Sequence, residues 1–85
     1  MWIEENNQLK RSFEFTNFIE AFGFMTKVAM VSEKMNHHPD WRNAYNIVDI
    51  ALYTADADNI ITEKDRKLAN EIDKIFKGKN SIFQH

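Results

Sequence analysis

Polar and apolar residues alternate along 9–15: Leu9, Arg11, Phe13 and Phe15 share one parity, and Lys10, Ser12 and Glu14 share the other. A period of two with aromatics predicts a strand with one buried and one solvated face. Residues 2–5 form a short apolar start that reads as an edge strand. Asn6-Asn7 separates the two and signals a turn, because asparagine tolerates left-handed backbone. Together they predict a hairpin. The period then lengthens. Phe18, Phe22, Met25 and Ala29, joined by Ile19, Val28 and Met30, recur at helical spacing. They predict a helix over 18–35 with this stripe lying on the sheet. Asn17 and Glu20 stand at capping-box spacing before it. Gly23 inside the helix costs about 1 kcal/mol against alanine, which marks it as the expected site of a close contact. Met25, Met30 and Met35 read as gap-filling core or a subunit interface.

Pro39 disfavours helical backbone at His38, so the helix must stop before the histidines. From Trp41 to Thr54 strand patterning returns. Val48, Ile50 and Leu52 fall on one face, and Asp49, Ala51 and Tyr53 on the other. A turn within Asn43–Asn46 divides the stretch into two strands. Ala55-Asp56-Ala57-Asp58-Asn59 is a polar loop. It fails the calcium-loop template, because Ile60 occupies a ligand position and the required glycine is absent. Thr62 is a good N-cap with Asp65 at the capping-box position. Leu68, Ile72, Ile75 and Phe76 give the last helix its apolar face, and Gly78 is expected to end it. The order ββαββα predicts an α+β, two-layer fold: a four-stranded antiparallel sheet covered on one face by helices.

The chain has 85 residues, which predicts one domain over 1–78 and a C-terminal tail over 79–85 that holds His85. So short a chain buries only about 60% of its unfolded surface. A thin core and a short first strand favour association, expected as a homodimer with a tetramer as the alternative. The net charge is −2, and no basic run exceeds Lys10-Arg11, so no nucleic-acid partner is expected. No apolar segment approaches the roughly 18 residues that span a membrane, and Met-Trp-Ile-Glu-Glu lacks a signal-peptide layout. With no cysteine, thiolate and disulfide chemistry are excluded. A cytoplasmic protein is the expectation.

Chemistry concentrates in Glu33-Lys34-Met35-Asn36-His37-His38-Pro39-Asp40-Trp41. The adjacent histidines fall on a loop just past a helix C-terminus, where a cationic imidazole is favoured. As metal ligands they are poor, since neighbouring residues rarely point at one ion and no cysteine or third nearby histidine joins them. They also read as ordinary loop residues. As acid/base groups they suit neutral pH, because an imidazole both gives and takes a proton there. Glu33, one helical turn before His37, is placed to orient or charge it. Trp41 offers a flat apolar wall for an aromatic ligand.

This stretch, with Ala21-Phe22-Gly23-Phe24-Met25-Thr26-Lys27-Val28-Ala29 before it and Asn43, Tyr45-Asn46 and Val48 after it, closely resembles the pterin-4a-carbinolamine dehydratase family. That family is also known as the dimerisation cofactor of a homeodomain transcription factor. The resemblance runs from about Trp2 to Phe76. The family signature asks for an acidic or basic residue, three spacers, His-His-Pro, an aromatic and a later aspartate. Glu33, His37, His38, Pro39, Tyr45 and Asp65 match it.

The resemblance implies dehydration of a 4a-hydroxytetrahydropterin, released by aromatic amino acid hydroxylases, to a quinonoid dihydropterin. It implies no cofactor and no metal. His37 and His38 would be catalytic. Glu33, Asn36, Pro39, Trp41, Thr54, Ala55, Asp56 and Asp65 would line or support the pterin site. One position departs. The family's third histidine stands ten residues after the aromatic matched by Tyr45, and here that residue is Ala55. Alanine transfers no proton, and one positioned acid/base group is worth about 10²–10⁴-fold in rate. Reduced activity is therefore expected. Asp56 is the nearest substitute, although an ionised carboxylate is a poor acid. The alternative is a non-catalytic pterin-binding or protein-interaction module of the same fold. Animal members carry an extra N-terminal helix that is not seen here, so their transcriptional role is not expected to carry over.

Overall fold

The computed structural model describes residues 1–82, with 79–82 described by backbone alone. His85 lies outside the described residues. The elements are β1 (Ile3–Glu5), β2 (Gln8–Glu14), α1 (Phe18–Met35), β3 (Asp40–Ala44), β4 (Ile47–Leu52), a single 3-10 turn (Ala55–Ala57) and α2 (Glu63–Ile82). The sheet order is β1-β2-β4-β3, and every pair is antiparallel. The expected α+β architecture with ββαββα order is present.

The turns have local causes. Asn6 and Asn7 hold positive φ of 52° and 62°, and Glu5 pairs with Gln8 across them. Two left-handed residues are what the tightest hairpin turn requires. The β3–β4 turn places Tyr45 at φ 53°. The Asn43 amide holds it there by donating to the carbonyls of Tyr45 and Ile47 at 3.1 and 2.9 Å.

The central pair β2–β4 carries the core. Leu9 faces Leu52, and Phe13 faces Val48. Phe13 and Phe15 pack on Phe24 of α1 and Phe76 of α2, with ring centroids 4.9–5.7 Å apart. Arg11 shares the inward parity of β2, and α2 supplies the reason. Its guanidinium donates to Asp73 at 2.8 Å and lies 4.4 Å over the Phe13 ring. Trp2 Nε1 donates to the same carboxylate at 2.9 Å. One aspartate thus ties α2 to β2 and to the residue that leads into β1.

Three sequence expectations are corrected. The stripe of Phe18, Phe22, Met25 and Ala29 does not form the inner face of α1. Of the expected residues Val28 is buried and Met25 packs half-buried against the core, Ala21, Phe24 and Ser32 complete the inner face, and Phe18, Ile19, Phe22 and Met30 are exposed. This helix is apolar around most of its circumference, so helical spacing fits two faces and the pattern does not choose between them. Second, Gly23 marks no close contact. A Cβ built there meets nothing within 4 Å. Gly23→Ala is therefore expected to stabilise the fold by about 1 kcal/mol, the helix-propensity difference, read as a higher denaturation midpoint. Third, α2 does not stop at Gly78. It continues to Ile82, because an isolated glycine weakens a helix by only about 1 kcal/mol and need not end it.

Candidate active site

Helix α1 ends in a way that sends the two histidines in opposite directions. Asn36 adopts left-handed backbone, φ 53° and ψ 41°. Its N–H bonds Glu33 O at 3.1 Å, and the His37 N–H bonds Ser32 O at 3.0 Å. This is the Schellman closure, which asparagine tolerates at little cost. The chain then leaves extended into β3, as Pro39 requires of the residue before it. His37 turns inward, with 11% of its side chain exposed, and His38 turns outward, with 56% exposed.

Each imidazole finds its own carboxylate. His37 Nε2 lies 2.5 Å from Asp65 Oδ1. His38 Nε2 lies 2.8 Å from Glu33 Oε1. The expectation that Glu33 serves His37 is therefore corrected. The left-handed turn at Asn36 carries His37 away from its own helix, and Glu33 meets the next residue instead.

Asp65 is fully buried, and both of its oxygens are engaged. Oδ2 accepts from Thr54 Oγ1 and from the Thr62 backbone N–H, each at 2.8 Å. The Thr62 bond is the capping-box contact expected at the start of α2. The Thr54 and Thr62 hydroxyls also meet, 2.6 Å apart. A backbone bridge between Thr54 and Ile60 closes the loop beneath them. Four separate segments thus converge: the end of α1, the end of β4, the loop after it and the first turn of α2. Asp65 serves at once as helix cap and as partner of His37.

The other expected site residues lie on the histidine loop, on β3 and in the turn after β4. Ala55 directly follows Thr54 and is exposed, as is Asp56 in the same 3-10 turn. Asn36 is exposed on the histidine loop, and Pro39 is half-buried. Trp41 is half-buried, pairs with Ile50 and packs against the core. A cavity of about 290 Å³ opens beside the centre, lined by Thr54, Asp56, Ala57, Thr62, Glu63 and Lys64. Sequence reasoning missed the full part of Thr62, which is legible only as a cap. The Tyr53 hydroxyl donates to Asp40 at 3.0 Å. That bond and the negative charge of Asp40 raise the phenol above its usual value of 10.0, so it stays a neutral donor.

A buried His–Asp pair stands beside a second, solvent-facing His–Glu pair on a sheet-and-helix scaffold, the class of arrangement in which an imidazole can pass a proton. Comparison with known proteins narrows the class. The model of the family Pterin 4 alpha carbinolamine dehydratase matches residues 1–75, and the chain belongs to that family. It is 58% identical over 74 residues to a protein of Prochlorococcus marinus (strain NATL2A) assigned by name to the pterin-4-alpha-carbinolamine dehydratases, covering 87% of this chain and 77% of that one. A relative from Burkholderia pseudomallei (strain 1710b), assigned in the same way, is 55% identical over 75 residues, covering 88% of this chain and 73% of its own. Among solved structures, a transcriptional coactivator/pterin dehydratase from Brucella Melitensis superposes with a TM-score of 0.82 at 43% identity, covering 87% of this chain and 80% of that chain. A pterin dehydratase-like protein described as a RuBisCO assembly factor in the alpha-carboxysome superposes with a TM-score of 0.75 at 25% identity, covering 87% of each chain.

Proposed function

We propose that the protein dehydrates a 4a-hydroxytetrahydropterin by histidine acid/base catalysis. The observation that carries this reading is the paired imidazole–carboxylate geometry at the family's His-His-Pro positions. The reaction breaks the C4a–O bond and forms a C4a=N5 double bond. The proton on N5 goes to a base, the departing hydroxyl takes a proton from an acid, and water and a quinonoid dihydropterin leave. Two imidazoles with opposite exposure suit two opposite proton transfers. Neither step calls for an electron acceptor. Asn36, Pro39, Trp41, Thr54, Ala55 and Asp56 would border the pterin, and Glu33 would hold His38. Asp65 is sealed from solvent and would act on the substrate only through His37.

The test is a stopped-flow assay in which a hydroxylase generates the 4a-hydroxytetrahydropterin in place. Acceleration of dehydration by the wild-type protein is the expected result, and a rate equal to the spontaneous one would sink the reading. Ala55 favours a second reading, a pterin-binding or protein-interaction module without useful turnover. A solved relative of this fold is described as a RuBisCO assembly factor, which supports the protein-interaction arm of that reading. Pterin binding without acceleration would select it.

The exposed side of α1 supports association of two copies. Phe18 and Phe22 stack at 5.7 Å there, and Ile19 and Met30 are 80% and 68% exposed. An apolar face of that kind on one helix marks an interaction surface. A dimer mass in sedimentation velocity that falls to monomer in Phe22→Glu is expected. A wild-type mass that stays monomeric at every concentration would count against it.

A further inference from the structure

We infer that the chain Thr62–Thr54–Asp65 holds His37 in the Nε2–H tautomer, which makes Nδ1 the proton-accepting atom of the site and makes Thr54 and Asp65 its positioning residues. The catalytic part of this statement rests on the dehydratase reading; the tautomer does not.

The direction of every hydrogen bond in the chain is fixed by what each atom can do. The Thr62 backbone N–H can only donate, and it donates to Asp65 Oδ2 at 2.8 Å. A carboxylate accepts only, so the Thr54 hydroxyl also donates to Oδ2, at 2.8 Å. A hydroxyl has one proton. Thr54 has spent its own, so the 2.6 Å contact between the two hydroxyls is a donation from Thr62 to Thr54. Oδ1 remains, and it faces His37 Nε2. Nε2 must therefore carry the proton. In the neutral imidazole one nitrogen is a donor and the other an acceptor, so the proton on Nε2 leaves the lone pair on Nδ1.

Nδ1 is the atom that remains free to react. It has no hydrogen-bond partner among the described residues, yet it is not one of their sealed, unpartnered polar atoms, of which only Ser32 Oγ is found. It is therefore reachable from solvent. His37 is held by a carboxylate that cannot move: Asp65 is fully buried, lies in the first turn of α2 and is gripped by two further donors. His38 has the opposite setting, since its partner Glu33 has an 82% exposed side chain. The rigid pair provides a base of fixed aim, and the solvent-facing pair exchanges protons with water. The Thr54–Thr62 bond also spans the loop that carries Ala55, so the same chain sets the position of the residue standing in for the family's third histidine.

The test is ¹⁵N-histidine NMR of the ligand-free protein, with two-bond proton–nitrogen correlations assigned by comparison with His38→Gln and His85→Gln. Wild type is expected to show a protonated Nε2 and an unprotonated Nδ1 at His37. Thr54→Val, which keeps the shape and removes the donor, leaves Asp65 Oδ2 held by the Thr62 N–H alone; it is expected to let the carboxylate turn away from Nε2 and so to shift His37 toward mixed tautomers. Thr54→Ser is expected to restore the wild-type pattern. Asp65→Asn is expected to lose the pattern, with kcat falling by on the order of 10²-fold and KM little changed. A wild-type His37 protonated on Nδ1 would overturn the inference, as would a pattern unchanged in both Thr54→Val and Asp65→Asn. The NMR arm needs no pterin. Failure of the dehydratase reading would appear separately, as absent acceleration with the tautomer intact.

Discussion

His37→Ala is expected to lower pterin dehydration by about 10²–10⁴-fold, the usual worth of one positioned acid/base group, and to destabilise the fold as well. The two losses have one origin. Removing the imidazole leaves Asp65 Oδ1 without its donor inside a fully buried site. An orphaned buried acceptor costs about 1–3 kcal/mol. His38→Ala provides the contrast. Its pair with Glu33 is solvent-exposed on both sides, and such pairs contribute about 0–1 kcal/mol. It should therefore lower turnover with little change in the denaturation midpoint. Rates and urea midpoints of the two variants, measured side by side, separate chemistry from folding. Undiminished turnover in folded His37→Ala would remove the histidine from the mechanism.

The framework of this fold was written in local signals. Alternation over 9–15 and 48–52, paired asparagines at the first turn, and capping residues at Asn17 and Thr62 each specify their own stretch of backbone. These requirements agree with one another, which is what makes a short chain fold to one structure. The face of α1 was not legible for a physical reason. When Phe18, Phe22, Phe24 and Val28 all look alike to a hydropathy pattern, the choice of buried side is made by the sheet and by α2, and neither is local. Arg11 shows the converse. Its inward position has no local cause, and Asp73, far along the chain, supplies its partner. The site divides in the same way. The histidine loop was legible as a unit because Pro39 acts on the backbone just before it. The pairing of His37 with Asp65 spans 28 residues and exists only once α2 is docked, so spacing alone assigned Glu33 to the wrong ring.

Ala55→His is expected to raise the dehydration rate, by as much as about 10²–10⁴-fold if the new imidazole is fully positioned. The scaffold favours the gain. Ala55 is exposed and opens the 3-10 turn directly after Thr54, whose hydroxyl is anchored to Asp65. The Thr54 N–H is fixed to Ile60 O at 2.9 Å, and the Asn59 N–H returns to Thr54 O at 3.0 Å. A side chain added at 55 thus starts from a held backbone, next in the chain to the threonine that bonds the carboxylate paired with His37, and an exposed substitution there should shift stability by no more than about 0.5 kcal/mol. Ala55→Gln controls for size and hydrogen bonding without proton transfer. A gain with histidine and none with glutamine would mean that the site is a dehydratase site short of one acid/base group. No gain with either, in a protein that still binds pterin, would mean that the constraint at this loop is not catalytic. The His37–Asp65 pair would then be kept for structure, as the link between the end of α1 and the first turn of α2.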